Sequence, residues 1–560
     1  MSNTVSERRT ELIWSPGDNC TLVDLIERRA NISGDRAALT VAGETVTFSD
    51  LASQSIGYAN GLHSLGVRRG DPVVMLMDNT VPLVNSWFGS SRLGAVDIPV
   101  NTQFSAEFLR RTFSNAGASV LLLDEQYLEK VLAAGRDGGI ETVVFRGSED
   151  GRKELAKAGF RALPWEELSG GPVDALTFDV SHDYRDPASV IYTSGTTGPS
   201  KGVLYSHNYV LSSSYEQVRL YEGREDDVYY GSMPLFHLAS RGAGVVGALM
   251  AGHESVIDAK FSTSMTWDRV RATGATVVHM LGSMMVMLWN LPPEPRDRDL
   301  PMRAFYAAPV PGSLHHAFEE RFGCKIVTAY AQTEICTVTG GGLADEIKLD
   351  SAGRVNNELL EVAIVDDRDE EVPADAVGEI AVRPKRPHIM FEGYWRNPEA
   401  THESMKNLWY HTGDLGRIDE DGFLFYEGRK KDALRRRGEN ISAVELESAV
   451  REHPSVLDVA AIGIPSDVLE DDIFVVFELV EGAVADYESL HAYCVEALPR
   501  FMVPRYLEAV DEIPRNSNNK IEKFRLRERG TTSLTWDTES KTLLGDASAL
   551  ETADVAGPLK

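Results

Sequence analysis

The chain has 560 residues, 43 % hydrophobic and 25 % charged, with ordinary Gly and Pro usage. It is too long for a single core, so two or more domains are expected, with the composition of a globular enzyme and not of a disordered or fibrous chain. A net charge of -29 argues against general binding to nucleic acid or anionic membranes, because both need a basic footprint.

Met1 to Trp14 carries charges throughout and lacks the apolar centre of a secretory signal. The most apolar run, Thr276 to Trp289, is too short for a bilayer and is interrupted by His279, Gly282 and Ser283. A cytoplasmic protein without a membrane span is expected. Cys20, Cys324, Cys336 and Cys494 are widely spaced, which speaks against a disulfide framework or a zinc site.

From about Leu22 to Phe178, short buried runs (Val73 to Met77, Val120 to Leu123, Thr142 to Phe145) alternate with helical stretches such as Ser105 to Ala116. That rhythm predicts a doubly wound α/β layer. It resumes from Ser189 to about Thr339. From Val355 to Phe425, strand-like pieces joined by Gly, Pro and Asp predict a small β subdomain. After Arg429 comes an α+β segment to about Arg527, with a helix at Ala443 to Glu452 and strands near Val459 to Ile464 and Ile473 to Leu479. The expected fold class is therefore α/β. An N-terminal domain over 1–430 is divided at about 15–180, 181–345 and 346–430. A smaller α+β domain covers 431–530, and a patternless, disordered tail covers 531–560.

Ile191-Tyr-Thr-Ser-Gly-Thr-Thr-Gly-Pro-Ser-Lys-Gly202 follows an expected strand and gathers hydroxyls, glycines and one lysine. Glycines let backbone N–H groups converge on an anion, hydroxyls add donors and Lys201 adds charge, which suits a polyphosphate. It departs from the usual P-loop because Gly202 stands where Ser or Thr should follow the lysine. By contrast, Gly242-Ala-Gly-Val-Val-Gly247 fits a dinucleotide fingerprint in spacing alone. It follows a turn-like Ala-Ser-Arg and lacks the downstream acid, so close helix packing is the expected role.

Thr193 to Gly202 resembles the signature of the adenylate-forming superfamily of acyl-CoA synthetases, luciferases and peptide-synthetase adenylation domains. Six further strings resemble that family in order: Gly94 to Pro99, Pro234-Leu-Phe-His237, Tyr330-Ala-Gln-Thr-Glu334, Tyr410 to Asp414, Gly428 to Asp432 and Pro514 to Ile521. Together they run in order from Gly94 to Ile521. The resemblance implies an AMP-forming acid–thiol ligase using ATP (or a preformed acyl-AMP), Mg²⁺ and coenzyme A, with a mobile C-terminal domain.

By that resemblance Thr193, Ser194, Gly195, Thr196, Thr197 and Lys201 cradle phosphates, and Ala307, Ala308, Pro309 and Tyr330 lie along the nucleotide. Glu334 and Thr196 serve Mg²⁺, and Thr333 bonds the α-phosphate. Asp414 and Arg429 hold the ribose region, and Lys520 is the adenylation cation. Lys431 is the implied hinge. Arg435 and Gly438 belong to a run, Gly428 to Gly438, with six basic residues and one acid, which suits CoA phosphates and pantetheine.

His237 stands where amino-acid-activating relatives carry Asp, so an amino acid is disfavoured. Gly282, Met285, Ala329 and Ala331, with Met280, Met284 and Met287, are expected to form a wall for a bulky apolar acid. The methionines equally suit a plain core.

Three positions depart from the family: Ala307 and Ala331 replace Gly, and Asn519 replaces the Gly before Lys520. Glycine there would permit positive φ or close approach to a ligand. This leaves two alternatives to a complete ligase. One is a thioesterification-only enzyme supplied with acyl-adenylate by a separate adenylating enzyme. The other is an enzyme that loads a carrier protein. A catalytically silent acyl-nucleotide binder is a further reading, opposed by the intact Lys520, Glu334 and Asp414. The Asn-Lys-Ile-Glu-Lys ending and Glu470-Asp-Asp472 resemble carnitine/crotonobetaine-type ligases. A homodimer is one arrangement the sequence admits.

Overall fold

The computed structural model describes residues 12–193, 200–356, 358–430, 434–436, 439–441, 443–465, 471–498, 500, 502–516 and 520–545. Four sheets organise the chain, together with the hairpin Leu434–Arg436 and Glu439–Ile441.

The first sheet has eight strands. Its parallel part runs Pro187–Tyr192, Val96–Pro99, Pro72–Leu76, Val120–Asp124, Thr142–Arg146, Arg161–Pro164. Gly202–Ser206 and Gly393–Tyr394 close the other edge antiparallel. The second sheet places Lys325–Val327, Ala304–Tyr306, Val277–His279, Val228–Gly231, Glu254–Ile257 and Ala37–Val41 side by side in parallel, with Glu44–Thr47 antiparallel at the edge. These strands read as continuous apolar runs because helices cover both faces. Helix Ala106–Ala116 shows the local logic: Ser105 caps it by accepting from the Phe108 amide, and Gly117 ends it at φ 64°.

The expected division near residue 180 does not describe the sheets. Strands after 186 complete the first sheet, and Ala37–Val41 with Glu44–Thr47 joins the second. Parallel pairing depends on long crossovers, so neighbours in a sheet are distant in the chain. One apolar core, including Leu39, Met75, Ile191, Val338 and Ile380, runs beneath both sheets and the third.

The third sheet is antiparallel and built from Thr339–Gly340, Ser351–Val355, Phe423–Arg429, Trp409–Ile418, Gly378–Pro384 and Leu360–Val365. Beyond it, Val456–Pro465, Asp471–Leu479 and Tyr506–Val510 form a separate sheet with its own cores. Residues 531–545 correct the expectation of a disordered tail. Trp536–Asp537 and Thr542–Leu543 extend this sheet, and Trp536 is buried against Tyr487, ring centroids 5.8 Å apart. Thr532 and Thr535 hydroxyls donate to Glu508. Residues 546–560 lie outside the described part.

Gly242–Gly247 sits in a π-helical turn, Arg241–Val246, and the helix start that follows it. A Cβ at Gly242 would come within 2.6 Å of Gln217 on helix His207–Leu220, so close packing explains the glycines.

Candidate active site

The parallel strands of the second sheet end at one large cavity of about 2450 Å³, which the third sheet and the C-terminal domain also border. Ligand sites of open α/β sheets form at such carboxyl ends, because the diverging loops leave a crevice.

Asp414 lies on strand Trp409–Ile418, almost fully buried. Its Oδ2 accepts from the Tyr330 hydroxyl and the Gln332 side-chain amide, each at 2.6 Å. Arg429, its register partner on the neighbouring strand, brings Nε to 2.9 Å from Oδ1. Burial pushes the Asp414 carboxyl above its ordinary range, while Arg429, Tyr330, Gln332 and Lys520 oppose that shift.

Glu334 is likewise buried, and its Oε1 accepts from the Tyr394 hydroxyl at 2.8 Å. Burial pushes the Glu334 carboxyl above its ordinary range, opposed by Tyr394 and by the charges of Arg429 and Lys201. Lys201 Nζ lies 4.6 Å from the centre of the Tyr394 ring. Such contacts hold an ammonium without neutralising it. Thr193 and Lys201 pair across the loop mouth, the Thr193 amide donating to the Lys201 carbonyl at 3.0 Å. Ser194, Gly195, Thr196 and Thr197 lie outside the described residues, as do Lys431, Gly438 and Asn519. Arg435 is described in backbone only, paired with Asn440.

Lys520 reaches this cavity from the C-terminal domain. Lys520 stays exposed to the open cleft, but the protein surrounding it and the Arg429 charge hold its ammonium below the ordinary lysine range, with Asp414 acting in the opposite sense. The lysine, the arginine and the two buried carboxylates thus share one cleft, brought from four separate parts of the chain. Thr333 borders the same space, and its carbonyl accepts from the Tyr209 hydroxyl at 2.9 Å.

Of the residues expected to bind the acid, His237, Ala329 and Ala331 line the cavity, as do Met280 and Met284. Met285 is fully buried in the core with Phe305 and Phe318 and is not part of the wall. Met287 is on the outside, 37 % exposed. Gly282 does not make room for a ligand either. A Cβ there would lie 2.0 Å from the Pro309 carbonyl oxygen, and the Gly282 amide donates to the Ala308 carbonyl. Its missing side chain lets the segment Ala307 to Pro309 lie flat against it. Ala308 and Pro309 border the cavity, whereas Ala307 is fully buried in the core. None of Ala307, Ala308 and Ala331 adopts positive φ. Alanine therefore costs no backbone strain at these positions.

Tyr394, Gln332 and Tyr410 were not singled out by sequence reasoning. Tyr410 donates to Gln332 Oε1 at 3.1 Å, completing the support of Asp414. Tyr410 and Gln332 sit inside recognised strings, a signal that adjacent positions also serve the site; Tyr394 had none. His279 and Gln217 also border the cavity without a sequence signal.

A cleft that sets two buried carboxylates among arginine and lysines at the ends of parallel strands belongs to enzymes that activate a group with a nucleotide. The AMP-binding enzyme family model matches residues 26–395, and the AMP-binding enzyme C-terminal domain matches 445–520. A crotonobetaine/carnitine–CoA ligase of Salmonella paratyphi A is 29 % identical over 508 residues, covering 89 % of this chain and 97 % of that protein. The Salmonella paratyphi B counterpart is 30 % identical over 506 residues with the same coverage. ATP-bound MatB from Rhodopseudomonas palustris superposes with a TM-score of 0.79 at 27 % identity, over 90 % of this chain and 98 % of that one. The anthranilate CoA ligase AuaEII, solved with anthranoyl-AMP, has the same fold at a TM-score of 0.81, 24 % identity and coverage of 91 % and 97 %.

The chain belongs to the AMP-binding enzyme family and is an AMP-forming acid–CoA ligase. Among the described residues no helix is long and apolar enough to cross a membrane.

Proposed function

We propose that this ligase is complete: it adenylates a bulky, largely apolar carboxylic acid that is not an amino acid, then passes the acyl group to CoA. The observation that carries this reading is the convergence of Lys520 on the cleft holding Asp414, Arg429 and Glu334. The unstrained Ala307 and Ala331 support it, since two of the three departures from the family leave the backbone undistorted; the third, Asn519, lies outside the described residues.

In the first half-reaction a carboxylate oxygen of the acid attacks the α-phosphorus of ATP, and the bond to pyrophosphate breaks. Two anions meet, so the barrier is largely repulsion, and fixed cations lower it. Lys520 offsets charge at the reacting carboxylate and α-phosphate, and Thr333 donates to the latter. Thr193 and Lys201, with the loop of Ser194, Gly195, Thr196 and Thr197, hold the outer phosphates. Asp414, kept in place by Tyr330 and Gln332, accepts from the ribose hydroxyls, and Arg429 spans ribose and phosphate.

Glu334 fits Mg²⁺: it is a buried carboxylate that borders the cleft and is held by the Tyr394 hydroxyl. Magnesium is commonly held by one carboxylate plus substrate phosphates, without a cage of protein ligands, and Thr196 would complete the site. When bound, the ion neutralises phosphate charge.

In the second half-reaction the CoA sulfur attacks the acyl carbonyl, AMP leaves with the electron pair of the broken anhydride bond, and the thiol proton is lost to solvent. Rotation about Lys431 withdraws Lys520 and presents Arg435, Gly438 and their hairpin to CoA. His237, which takes the place of an ammonium-binding Asp, faces an acyl group flanked by Phe236, Leu238, Met280 and Met284.

A paired assay tests this reading over a panel of acids. One arm follows acid-dependent ATP–pyrophosphate exchange; the other follows CoA thioester from synthetic acyl-adenylate. Activity in both arms is expected. Thioester without exchange, for an acid whose adenylate is accepted, would show that adenylation has been lost.

A further inference from the structure

The inner end of the cleft is not apolar. Behind the methionine wall the cavity is bordered by Ser213, Gln217, Ser232, His279, Tyr306 and Thr337, each no more than 6 % exposed. None of the other five carries a charge, and burial drives His279 itself down to about 3, so it is a neutral imidazole. A charged group arriving at that end would lose its water without gaining an opposite charge, which is strongly unfavourable. A plain hydrocarbon end would leave buried polar groups without partners.

Two of those groups stand out. The Gln217 amide nitrogen donates to the Ser213 carbonyl at 3.2 Å, but its Oε1 is buried without a partner among the described residues. His279 is stacked on Tyr306, centroids 4.2 Å apart, and its Nδ1 lies 3.0 Å from the Tyr229 hydroxyl. That fixes the ring and leaves Nε2 as its remaining polar atom at the cavity. Depending on which way the Tyr229 bond runs, Nε2 donates or accepts. Gln217 Oε1 only accepts. With the Tyr229 hydroxyl donating to Nδ1, His279 Nε2 carries the proton, and a hydroxyl is the simplest uncharged group that satisfies both: it donates to Gln217 Oε1 and accepts from His279 Nε2. Buried polar groups in native proteins are nearly always satisfied, so Gln217 Oε1 calls for a donor from within the cavity.

We propose that the acid activated by this ligase carries a hydroxyl at the end remote from its carboxylate, read by Gln217 and His279. The inference deepens the ligase reading and rests on it: an apolar body passes the methionine wall and a neutral polar head docks at the strand ends. Gln217 and His279 are specificity residues in this arrangement, distant from the reacting atoms.

The test uses non-hydrolysable acyl-sulfamoyl adenosines in matched pairs that differ only by hydroxyl against methyl, on 4-substituted benzoyl, phenylpropanoyl and cyclohexylcarbonyl bodies. Binding is measured by titration calorimetry for the full chain and for Gln217→Leu and His279→Phe. For the best body, the hydroxyl member is expected to bind at least about 100-fold more tightly, because a site built to hydrogen-bond rejects an analogue lacking the group. Each substitution is expected to bring the ratio to within a few fold of unity while AMP affinity, the control for an intact fold, is retained.

Equal binding or methyl preference on every body would overturn the proposal, as would an unchanged ratio in both variants, or no binding by any pair. The wild-type ratio is decisive even where a variant fails to fold. Binding requires neither half-reaction, so a hydroxyl preference without thioester or exchange activity would reject the ligase reading and leave the pocket assignment standing.

Discussion

The two ends of the cleft solve opposite problems. At the nucleotide end, Asp414 and Glu334 are buried carboxylates, each steadied by an aromatic hydroxyl and faced by cations. At the inner acyl end, Ser213, Gln217, Ser232, Tyr306 and Thr337 are neutral, and burial keeps His279 uncharged. Charge is concentrated where bonds to phosphorus are made and broken, since fixed charges there need no reorganisation. Discrimination between acids is left to neutral hydrogen-bonding groups. They reject mismatched substrates through unsatisfied polar atoms, without an electrostatic field that would also act on the reacting carboxylate.

If the charged end has been assigned correctly, losing Lys520 should be the most damaging change. Lys520→Ala is expected to lower acid-dependent ATP–pyrophosphate exchange by about 10²- to 10³-fold. Thioester formation from supplied acyl-adenylate should fall far less. Equal losses in both arms would place Lys520 outside the adenylation step.

Gly282→Ala probes the boundary between the two ends. A methyl 2.0 Å from the Pro309 oxygen must push the Ala308–Pro309 segment toward the cleft. A cost of about 1–3 kcal/mol is expected from such overpacking. It should appear as a lower thermal midpoint and a higher KM for ATP; an unchanged pair of values would mean that the segment yields freely.

Tyr330→Phe removes one of the two side-chain donors on Asp414 Oδ2 but leaves Gln332 and Arg429. A rise of about three- to tenfold in KM for ATP is expected, in keeping with one hydrogen bond among several. Wild-type KM in this variant would remove Asp414 from ribose binding.

The smallest effect is on the pH profile. Lys520 acts as a cation and its ammonium is held below the ordinary lysine range, so exchange activity should fall on the alkaline side before an ordinary lysine would lose its proton. Glu334 and Asp414 act ionised with values raised above 4.5 and 3.8, so the acid limb should lie above the ordinary carboxylate range. Lys520→Arg keeps the charge to higher pH and should move only the alkaline limb upward. An alkaline limb that stays in place would assign it to another group.

Much of the charged end was legible before the structure. Lys201 lies in a short string whose residue types reveal its chemistry, because phosphate binding needs glycines, hydroxyls and cations close together in the chain. Asp414, Glu334 and Thr333 were legible through the family resemblance of the strings that hold them. The acyl end was largely illegible. Met285 and Gly282 seemed wall residues, yet one fills the core and the other seats Pro309. A methionine run has the same composition whether it faces a ligand or a core, and only the rotation of helix Gly282–Trp289 against its neighbours separates the two. His279 and Gln217 belong to no string. They meet because a strand end and a helix from distant parts of the chain border one cavity.

Hydropathy rhythm and seven ordered strings were enough to establish an α/β chain, a β subdomain, a smaller α+β domain and adenylate-forming chemistry. These are local properties, set by side-chain periodicity and by backbone turns that specific residues permit. The exchange of strands between the two parallel sheets, the packing of residues 531–545 onto the last sheet and the neutral head of the acyl pocket depend on contacts across tens to hundreds of residues. Burial turns His279 from a cation into a neutral hydrogen-bonding group, and burial is a property of the assembled fold.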